Sequence, residues 1–105
     1  MRVGRRILVS GTAPIWPDGE CDPDPAVQAR RWLEIILTAI AEAGAMPRNV
    51  VRPRMYITDA SFAEAVGRVP GEVFGRTRPA ATIVVVKELL DPRWKVEIEA
   101  EAVVD

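Results

Sequence analysis

Histidine is absent from this sequence of 105 residues, and cysteine occurs once, at Cys21. The absence of histidine removes the commonest general base, the commonest zinc ligand and the Ser-His-Asp class of catalytic triad. A single cysteine excludes an intrachain disulfide. The acidic neighbours Glu20, Asp22 and Asp24 are expected to raise the pKa of the Cys21 thiol rather than to activate it. We therefore interpret Cys21 as an incidental loop thiol.

A large net charge and long hydrophobic runs are also missing. The 14 basic and 15 acidic residues leave a net charge of −1, which gives no electrostatic reason to expect a nucleic-acid or membrane partner. The basic residues near Met1 are followed only by the short apolar run 7–9, far less than a signal peptide or a membrane span requires. The sequence therefore predicts a cytoplasmic protein, and its length predicts one domain over residues 1–105.

The first half of the chain predicts a strand followed by an amphipathic helix. Residues 7–12 are typical of a short strand. Asp24 is predicted to cap a helix that Pro25 opens, and Gly44 followed by Pro47 is predicted to end it. Apolar residues recur at spacings of three and four and form the predicted buried stripe, which comprises Ala29, Leu33, Ile36, Leu37 and Ile40. Two bulky residues flank the stripe and are predicted to pack in the core or at an interface: Trp32 and Ile35.

The second half begins with a predicted strand and a second helix. Residues 51–57 alternate between apolar and polar side chains, and Pro53 indicates an edge position or a bulge because it cannot donate a ladder hydrogen bond. Ser61 and Glu64 have the spacing of a capping box. The helix that follows is predicted to bury Phe62, Ala65, Val66 and Val69. Residues 70–71, Pro then Gly, are predicted to break or kink it.

Two further strands are predicted near the end of the chain. Residues 80–86 are apolar on both faces, so we expect helices to cover one face and another subunit to cover the other. Residues 96–102 alternate, and Glu97, Glu99 and Glu101 share one face at intervals of roughly 7 Å. These carboxylates diverge too far to hold one small cation by themselves. A solvated acidic face is the simpler interpretation.

Several sequence pieces, in this order, resemble the reactive-intermediate deaminase family, also called the RidA or YjgF family. The pieces are I-L-V-S-G at 7–11, D-G at 18–19, the helix over 28–44, V-V at 50–51, Y-I-T-D at 56–59, F-G at 74–75, R-P-A-A-T at 78–82, Leu89 and V-E-I-E-A at 96–100. The likeness covers nearly the whole chain.

The resemblance implies an α+β, chorismate-mutase-like fold, with a mixed sheet that carries two helices on one face. It also implies a homotrimer whose sheets form a central barrel, with a small-molecule cleft at each subunit interface. Well-known members hydrolyse reactive imines and enamines to a keto acid and ammonia, without a metal or a cofactor. The resemblance implies that the chain begins at the second strand of the family.

The resemblance also implies which residues line the cleft. Glu97 matches the glutamate that places the hydrolytic water, and Gly11 matches a glycine whose backbone lines the cleft. Ala81 stands where deaminating members have an arginine that grips the substrate carboxylate. Thr82 follows the motif as in the family, and Ile83 stands where the family often has cysteine. We expect these five residues to form the site, without a metal.

Other family positions also differ. The pocket asparagine of the second helix aligns with residues 66–67, Val and Gly. Arg78, or the pair Arg52 and Arg54, could supply another cation, and we interpret all three as solvated or interface residues.

Three functions follow from these observations. The first is a hydrolase of an imine, an enamine or a related small carbonyl metabolite, with Glu97 as general base and a substrate other than the 2-imino acids of well-known members. The second is a non-catalytic trimer that binds a small metabolite in the same cleft. The third, ribonuclease or translation-inhibitor activity, is opposed by the near-zero net charge and by the absence of a basic stripe and of histidine. No cofactor is expected.

Overall fold

A computed structural model describes residues 1–11, 16–75 and 79–105 as five strands and two α-helices. The strands are β1 (Arg2–Val3), β2 (Arg6–Val9), β3 (Val50–Ile57), β4 (Thr82–Val85) and β5 (Val96–Val103), and the helices are α1 (Pro25–Glu42) and α2 (Ala63–Phe74). Short 3-10 turns precede β3 at Pro47–Asn49 and α2 at Ala60–Phe62.

One sheet contains all five described strands, in the order β1-β2-β5-β3-β4. The β3–β4 pair is parallel and the other pairs are antiparallel, so the sheet is mixed. The helices pack on one face, where they bury apolar side chains from every strand except β1 and β4 in a single core. This arrangement confirms the predicted α+β class. None of the helices in the described ranges is both long and apolar enough to span a bilayer.

Helix α1 begins and ends where the sequence predicts. The Asp24 carboxylate accepts a hydrogen bond from the backbone N–H of Ala26 at 2.8 Å, which satisfies one of the free donors of the first turn. Gly44 follows the helix with φ of +92°, a conformation that glycine adopts without strain. Trp32 is fully buried at the centre of the stripe rather than beside it, because its indole packs beneath β5.

The observed place of strand β3 in the sheet differs from the edge position predicted from Pro53. An edge position is wrong, since β3 lies between β5 and β4. The predicted irregularity is close by, because the register with β5 shifts between Val50 and Arg52.

The hydrogen-bond pattern explains how an interior strand tolerates this proline. N–H groups of the chain segment around β4 donate to the carbonyls of Val51 and Ile57, at 3.0 and 2.8 Å, so these alternate residues face β4. Pro53 lies between them and faces the same way. The side of Pro53 that lacks an N–H donor therefore faces the chain segment just before Thr82, the first residue of β4. The hydrogen-bond ladder between β3 and β4 has not begun there.

Helix α2 differs from the prediction at both ends. The capping box is wrong: the Asp59 carboxylate, not Ser61, caps the turn, and it accepts from the Ser61 N–H at 2.8 Å. The Glu64 carboxylate pairs with Arg68 one turn along instead of reaching back. A break at Pro70 is also wrong, because the helix continues to Phe74. Burial of Val69, Pro70 and Phe74 against the core offsets the loss of one helical hydrogen bond.

The predicted strand over residues 80–86 is shorter and less covered than expected. It spans Thr82–Val85 at the edge of the sheet, and within one chain its apolar side chains stay partly exposed. The exposed fractions are 36% for Ile83, 44% for Val84 and 54% for Val85. Cover by another subunit stays a prediction. The alternation of β5 is confirmed, and the last residue of the predicted first strand, Thr12, lies outside the described ranges.

Candidate functional site

The face of the sheet opposite the helices carries the polar residues of β5 and β3. Along β5 the buried residues alternate with Glu97, Glu99 and Glu101. The ladder between the strands places Arg54 beside Glu99 and Tyr56 beside Glu97. We call this surface the open face.

Two of the three glutamates are held by neighbouring side chains. The Glu99 carboxylate accepts from the Tyr56 hydroxyl at 2.8 Å and from the Arg54 guanidinium at 3.2 Å. The Glu101 carboxylate accepts from the Arg6 guanidinium at 2.8 Å. The hydrogen bond to Glu99 raises the pKa of Tyr56, because it stabilises the phenol in its protonated form, and partial burial adds to the effect.

Glu97 differs from both of its neighbours. Among the described residues, its carboxylate has no hydrogen-bond or ion-pair partner, and it lies against the backbone of Gly11. A β-carbon built on Gly11 would lie 2.7 Å from Cγ and 2.8 Å from Cδ of Glu97, much closer than real contacts. Only glycine at this position leaves room for Glu97 in its observed place. The predicted neighbourhood of Glu97 and Gly11 is thus present within one chain.

The remaining predicted residues lie elsewhere on the sheet. Ala81 is exposed immediately before β4, and the Thr82 hydroxyl, on the open face, accepts from the Arg52 guanidinium at 3.0 Å. Ile83 points to the helix side, where its Cδ1 would lie 3.4 Å from a β-carbon on Gly67.

These residues and Glu97 do not meet within one chain. Strand β3 separates β4 from β5, which corresponds to roughly 10 Å between their backbones. The placement of Glu97 and the segment 81–83 in one cleft between two copies of the chain stays a prediction.

The two arginines of β3, which the sequence predicts to be solvated or at an interface, have different environments. Arg54 is paired with Glu99, whereas Arg52 has no carboxylate partner among the described residues. The sequence could not separate them, because both occupy the same face at alternate positions. Arg78 lies outside the described residues.

A buried amide that sequence reasoning missed holds the start of β5 in place. The Gln28 side chain is fully buried, donates to the carbonyls of Asp22 and Arg93, and accepts from the Lys95 N–H, at 2.8 to 2.9 Å. The Trp32 indole donates to the carbonyl of Val96. Helix α1 thereby fixes the backbone that leads into Glu97. The available signal was a polar residue four positions before Trp32, on the buried stripe of the helix.

Cys21 and the acidic groups do not form a metal centre in the described part of the chain. No three Asp, Glu or Cys side chains there are grouped closely enough to bind one ion. Burial is the largest cause that raises the pKa of the Cys21 thiol, the Arg93 charge opposes it, and the charges of Asp91 and Asp22 add to it. The predicted direction is confirmed, and burial exceeds the acidic neighbours as its cause.

Known proteins similar to this chain share its sequence pattern and its fold. The family model described as Endoribonuclease L-PSP matches residues 1–104. A RutC family protein of Pyrococcus abyssi is 36% identical over 105 residues, which cover 98% of this chain and 80% of that protein. An uncharacterized protein of Streptomyces coelicolor is 35% identical over 102 residues, which cover 94% of this chain and 75% of that protein.

Two solved structures show the same architecture. Rv2704 of Mycobacterium tuberculosis, a member of the YjgF/YER057c/UK114 family, is 40% identical with a TM-score of 0.87, and the match covers 98% of this chain and 82% of Rv2704. Escherichia coli TdcF, solved with bound serine, is 28% identical with a TM-score of 0.91, and the match covers 100% of this chain and 85% of TdcF.

Proposed function

This chain belongs to the Endoribonuclease L-PSP family, also called the YjgF or RidA family, and from that premise we propose that it hydrolyses a small imine or enamine in a cleft between subunits. Glu97 is the proposed catalytic carboxylate. The observation that carries the proposal is its position: it packs against Gly11 without a described partner, whereas Glu99 and Glu101 are paired. A carboxylate without a cationic partner is available to accept a proton.

The proposed reaction uses Glu97 first as base and then as acid. Glu97 accepts a proton from water while the water oxygen bonds to the carbon of a protonated imine and the π electrons move to nitrogen. Glu97 then returns the proton to the nitrogen of the resulting carbinolamine. The C–N bond breaks, and the hydroxyl proton leaves with ammonia as ammonium. Protonated imine and water thus become a carbonyl compound and ammonium.

Ala81 determines which imine we expect to be used. An arginine at this position would bind a substrate carboxylate through two charge-assisted hydrogen bonds, each worth about 1.5–3 kcal/mol. Without it, efficiency on a 2-imino acid should be on the order of 100-fold lower. The efficiency on an imine that lacks a carboxylate should not depend on this arginine. The proposed substrate is therefore a small imine or enamine without a 2-carboxylate.

Matched substrates test this proposal. An amino-acid oxidase supplies 2-iminopropionate from alanine, an amine oxidase supplies the corresponding imine from ethylamine, and loss of each imine is followed with and without the protein. We expect acceleration for the carboxylate-free imine and almost none for 2-iminopropionate. Ala81→Arg should raise the second rate by on the order of 100-fold. Rapid wild-type turnover of 2-iminopropionate would contradict the role given to Ala81.

Two substitutions test Glu97 separately from Ala81. Glu97→Gln should abolish the acceleration, whereas Glu101→Gln, the same change on the same strand face, should preserve it. Gly11→Ala should act like Glu97→Gln, since the added methyl displaces the carboxylate. Gly71→Ala is its control, because a β-carbon on Gly71 meets no atom within 4 Å. Equal activity of wild type and Glu97→Gln would reject the catalytic assignment.

The intersubunit cleft requires an assembly of several copies of the chain, and the family resemblance implies a homotrimer. Exposed apolar side chains on both faces of the edge strand β4 support it. Light scattering at micromolar concentration should give three times the chain mass of 11.6 kDa. A stable monomer would remove the cleft and the reaction together.

A non-catalytic trimer that binds a small metabolite is the second candidate. Ala81 favours it, because the arginine that binds the substrate carboxylate in deaminating members is missing. TdcF was solved with bound serine, a small carboxylate-bearing amino acid. Binding of a small amino or keto acid, without loss of any imine in either oxidase assay, would favour this alternative.

A further inference from the structure

One buried polar side chain lies beneath the chain that enters β5. Gln28, near the start of α1, is fully buried, and it is the one buried polar or charged side chain in the described part of the chain. Because it is enclosed within a single chain on the helix side of the sheet, no second copy of the chain can reach it. Its environment is therefore the same in a monomer and in an assembly.

The amide of Gln28 bonds three backbone groups at once. Nε2 donates to the carbonyls of Asp22 and Arg93, at 2.8 and 2.9 Å, and Oε1 accepts from the N–H of Lys95 at 2.8 Å. A primary amide has two donor hydrogens, and both are used here. A carboxylate in this place would have no donor for the two carbonyls. An apolar side chain would leave all three groups without a partner.

The three backbone groups belong to the two chain segments that adjoin the candidate site. Asp22 lies on the segment that runs from Gly11 to α1. Arg93 and Lys95 lie on the segment that leads into β5 and Glu97. One side chain thus joins the segment that follows Gly11 to the segment that precedes Glu97.

The distance from this junction to the Glu97 carboxylate is short. Lys95 precedes Glu97 by two residues, which span about 7 Å in extended chain. The Lys95 backbone is bonded on both sides, since its carbonyl accepts from the Thr58 N–H at 3.1 Å. A methyl group on Gly11 would overlap the Glu97 side chain. A shift at the start of β5 would therefore change how the carboxylate lies against the Gly11 backbone.

We propose that Gln28 is the positioning residue of Glu97. The inference rests on the proposed function, in which Glu97 is the catalytic carboxylate. The hydrogen bonds of Gln28 go to backbone groups and not to that carboxylate, so it acts through residues 93–95. Displacing a catalytic group by about 1 Å can lower a rate on the order of 100-fold. Loss of the amide should therefore lower kcat and leave KM nearly unchanged, because no substrate contact is removed.

Two substitutions of Gln28 test this role with the imine supplied from ethylamine. Gln28→Leu removes the amide, and we expect kcat to fall on the order of 100-fold. Gln28→Asn keeps an amide that is one methylene too short to reach all three backbone groups, and kcat should fall about tenfold or more. KM should stay within about twofold of wild type in both variants. Gln28→Asn decides the question if Gln28→Leu does not fold.

Ile40→Ala is the control for a loss of stability alone. Ile40 is fully buried on the same helix, roughly 18 Å further along it. The truncation destabilises the core, but we expect kcat to remain that of wild type when the assay temperature is well below unfolding. An equal fall in kcat for Ile40→Ala, or unchanged kcat in both Gln28 variants, would overturn the positioning role.

Crystal structures of wild type and Gln28→Asn separate this inference from the proposed reaction. We expect the Glu97 carboxylate to move from its place beside Gly11 by about 1 Å or more, while Glu101 stays in place. That movement in a protein whose wild type turns over no imine would reject the reaction and keep Gln28 as the residue that positions Glu97. Wild-type turnover that persists in Gln28→Asn, with Glu97 unmoved, would reject this inference alone.

Discussion

The two faces of the sheet are held by different forces. On the helix side, residues such as Trp32, Ile36 and Ile98 are fully buried, and the hydrophobic effect stabilises their packing. On the open face, charged side chains form pairs that remain partly in water, such as Arg6 with Glu101. Burial of a large apolar side chain stabilises the folded state by a free energy on the order of a few kcal/mol, whereas an exposed ion pair contributes little. The helix side therefore contributes most of the stability of the fold, and the ion pairs of the open face contribute little.

The largest expected effect comes from truncating the centre of the helix side. Trp32→Ala removes a fully buried indole and its hydrogen bond to the Val96 carbonyl. We expect the free energy of unfolding to fall by about 3–5 kcal/mol. Urea denaturation of the variant and the wild type measures it. A loss below about 1 kcal/mol would mean that the helix side is not the principal source of stability.

A much smaller effect is expected from the ion pair on the open face. The side chains of Arg6 and Glu101 are 61% and 25% exposed. A double-mutant cycle with Arg6→Gln and Glu101→Gln should give a coupling energy below about 1 kcal/mol, decreasing as salt is added. A coupling as large as the loss in Trp32→Ala would remove the distinction between the two faces.

The smallest expected effect is a dependence on pH at the turn before α2. The hydrogen bond from the Ser61 N–H lowers the pKa of the Asp59 carboxyl below its ordinary value of 3.8. A lowered pKa in the folded state contributes stability above the unfolded pKa, and that contribution is lost as the pH falls through the folded pKa.

Unfolding measurements between pH 6 and pH 2 test this sign. The advantage of wild type over Asp59→Ala should be constant near neutrality and should shrink at acidic pH, beginning near pH 4. An advantage that grows on acidification would contradict the cap.

Periodicity predicted the helix side well and the open face poorly. The stripe of α1 and the alternation of β5 follow from burial on one face, which leaves a regular pattern in the sequence. The family resemblance, carried by pieces spread over the whole chain, was confirmed. By contrast, the edge position of Pro53 and the capping box at Ser61 were wrong, since hydrogen-bond direction and the choice among neighbouring caps depend on tertiary structure.

The sequence predicted only part of the candidate site, because pairing between strands depends on tertiary structure. Gly11 and Glu97 are far apart in sequence, and the family motif brought them together correctly as neighbours. The difference between Arg52 and Arg54 could not be read from the sequence, because pairing across strands depends on the register of β3 against β5. Gln28 was missed because a polar residue on an apolar stripe gives no indication of which backbone groups it bonds.

A crystal structure of the assembled protein tests the central claim most directly, through the surroundings of one side chain. We predict that the Glu97 carboxylate lies in a cleft between two subunits, beside Gly11 of its own chain and facing the segment 81–83 of a second copy. Glu97 in open solvent, or paired with an arginine of a neighbouring subunit, would contradict the proposed site.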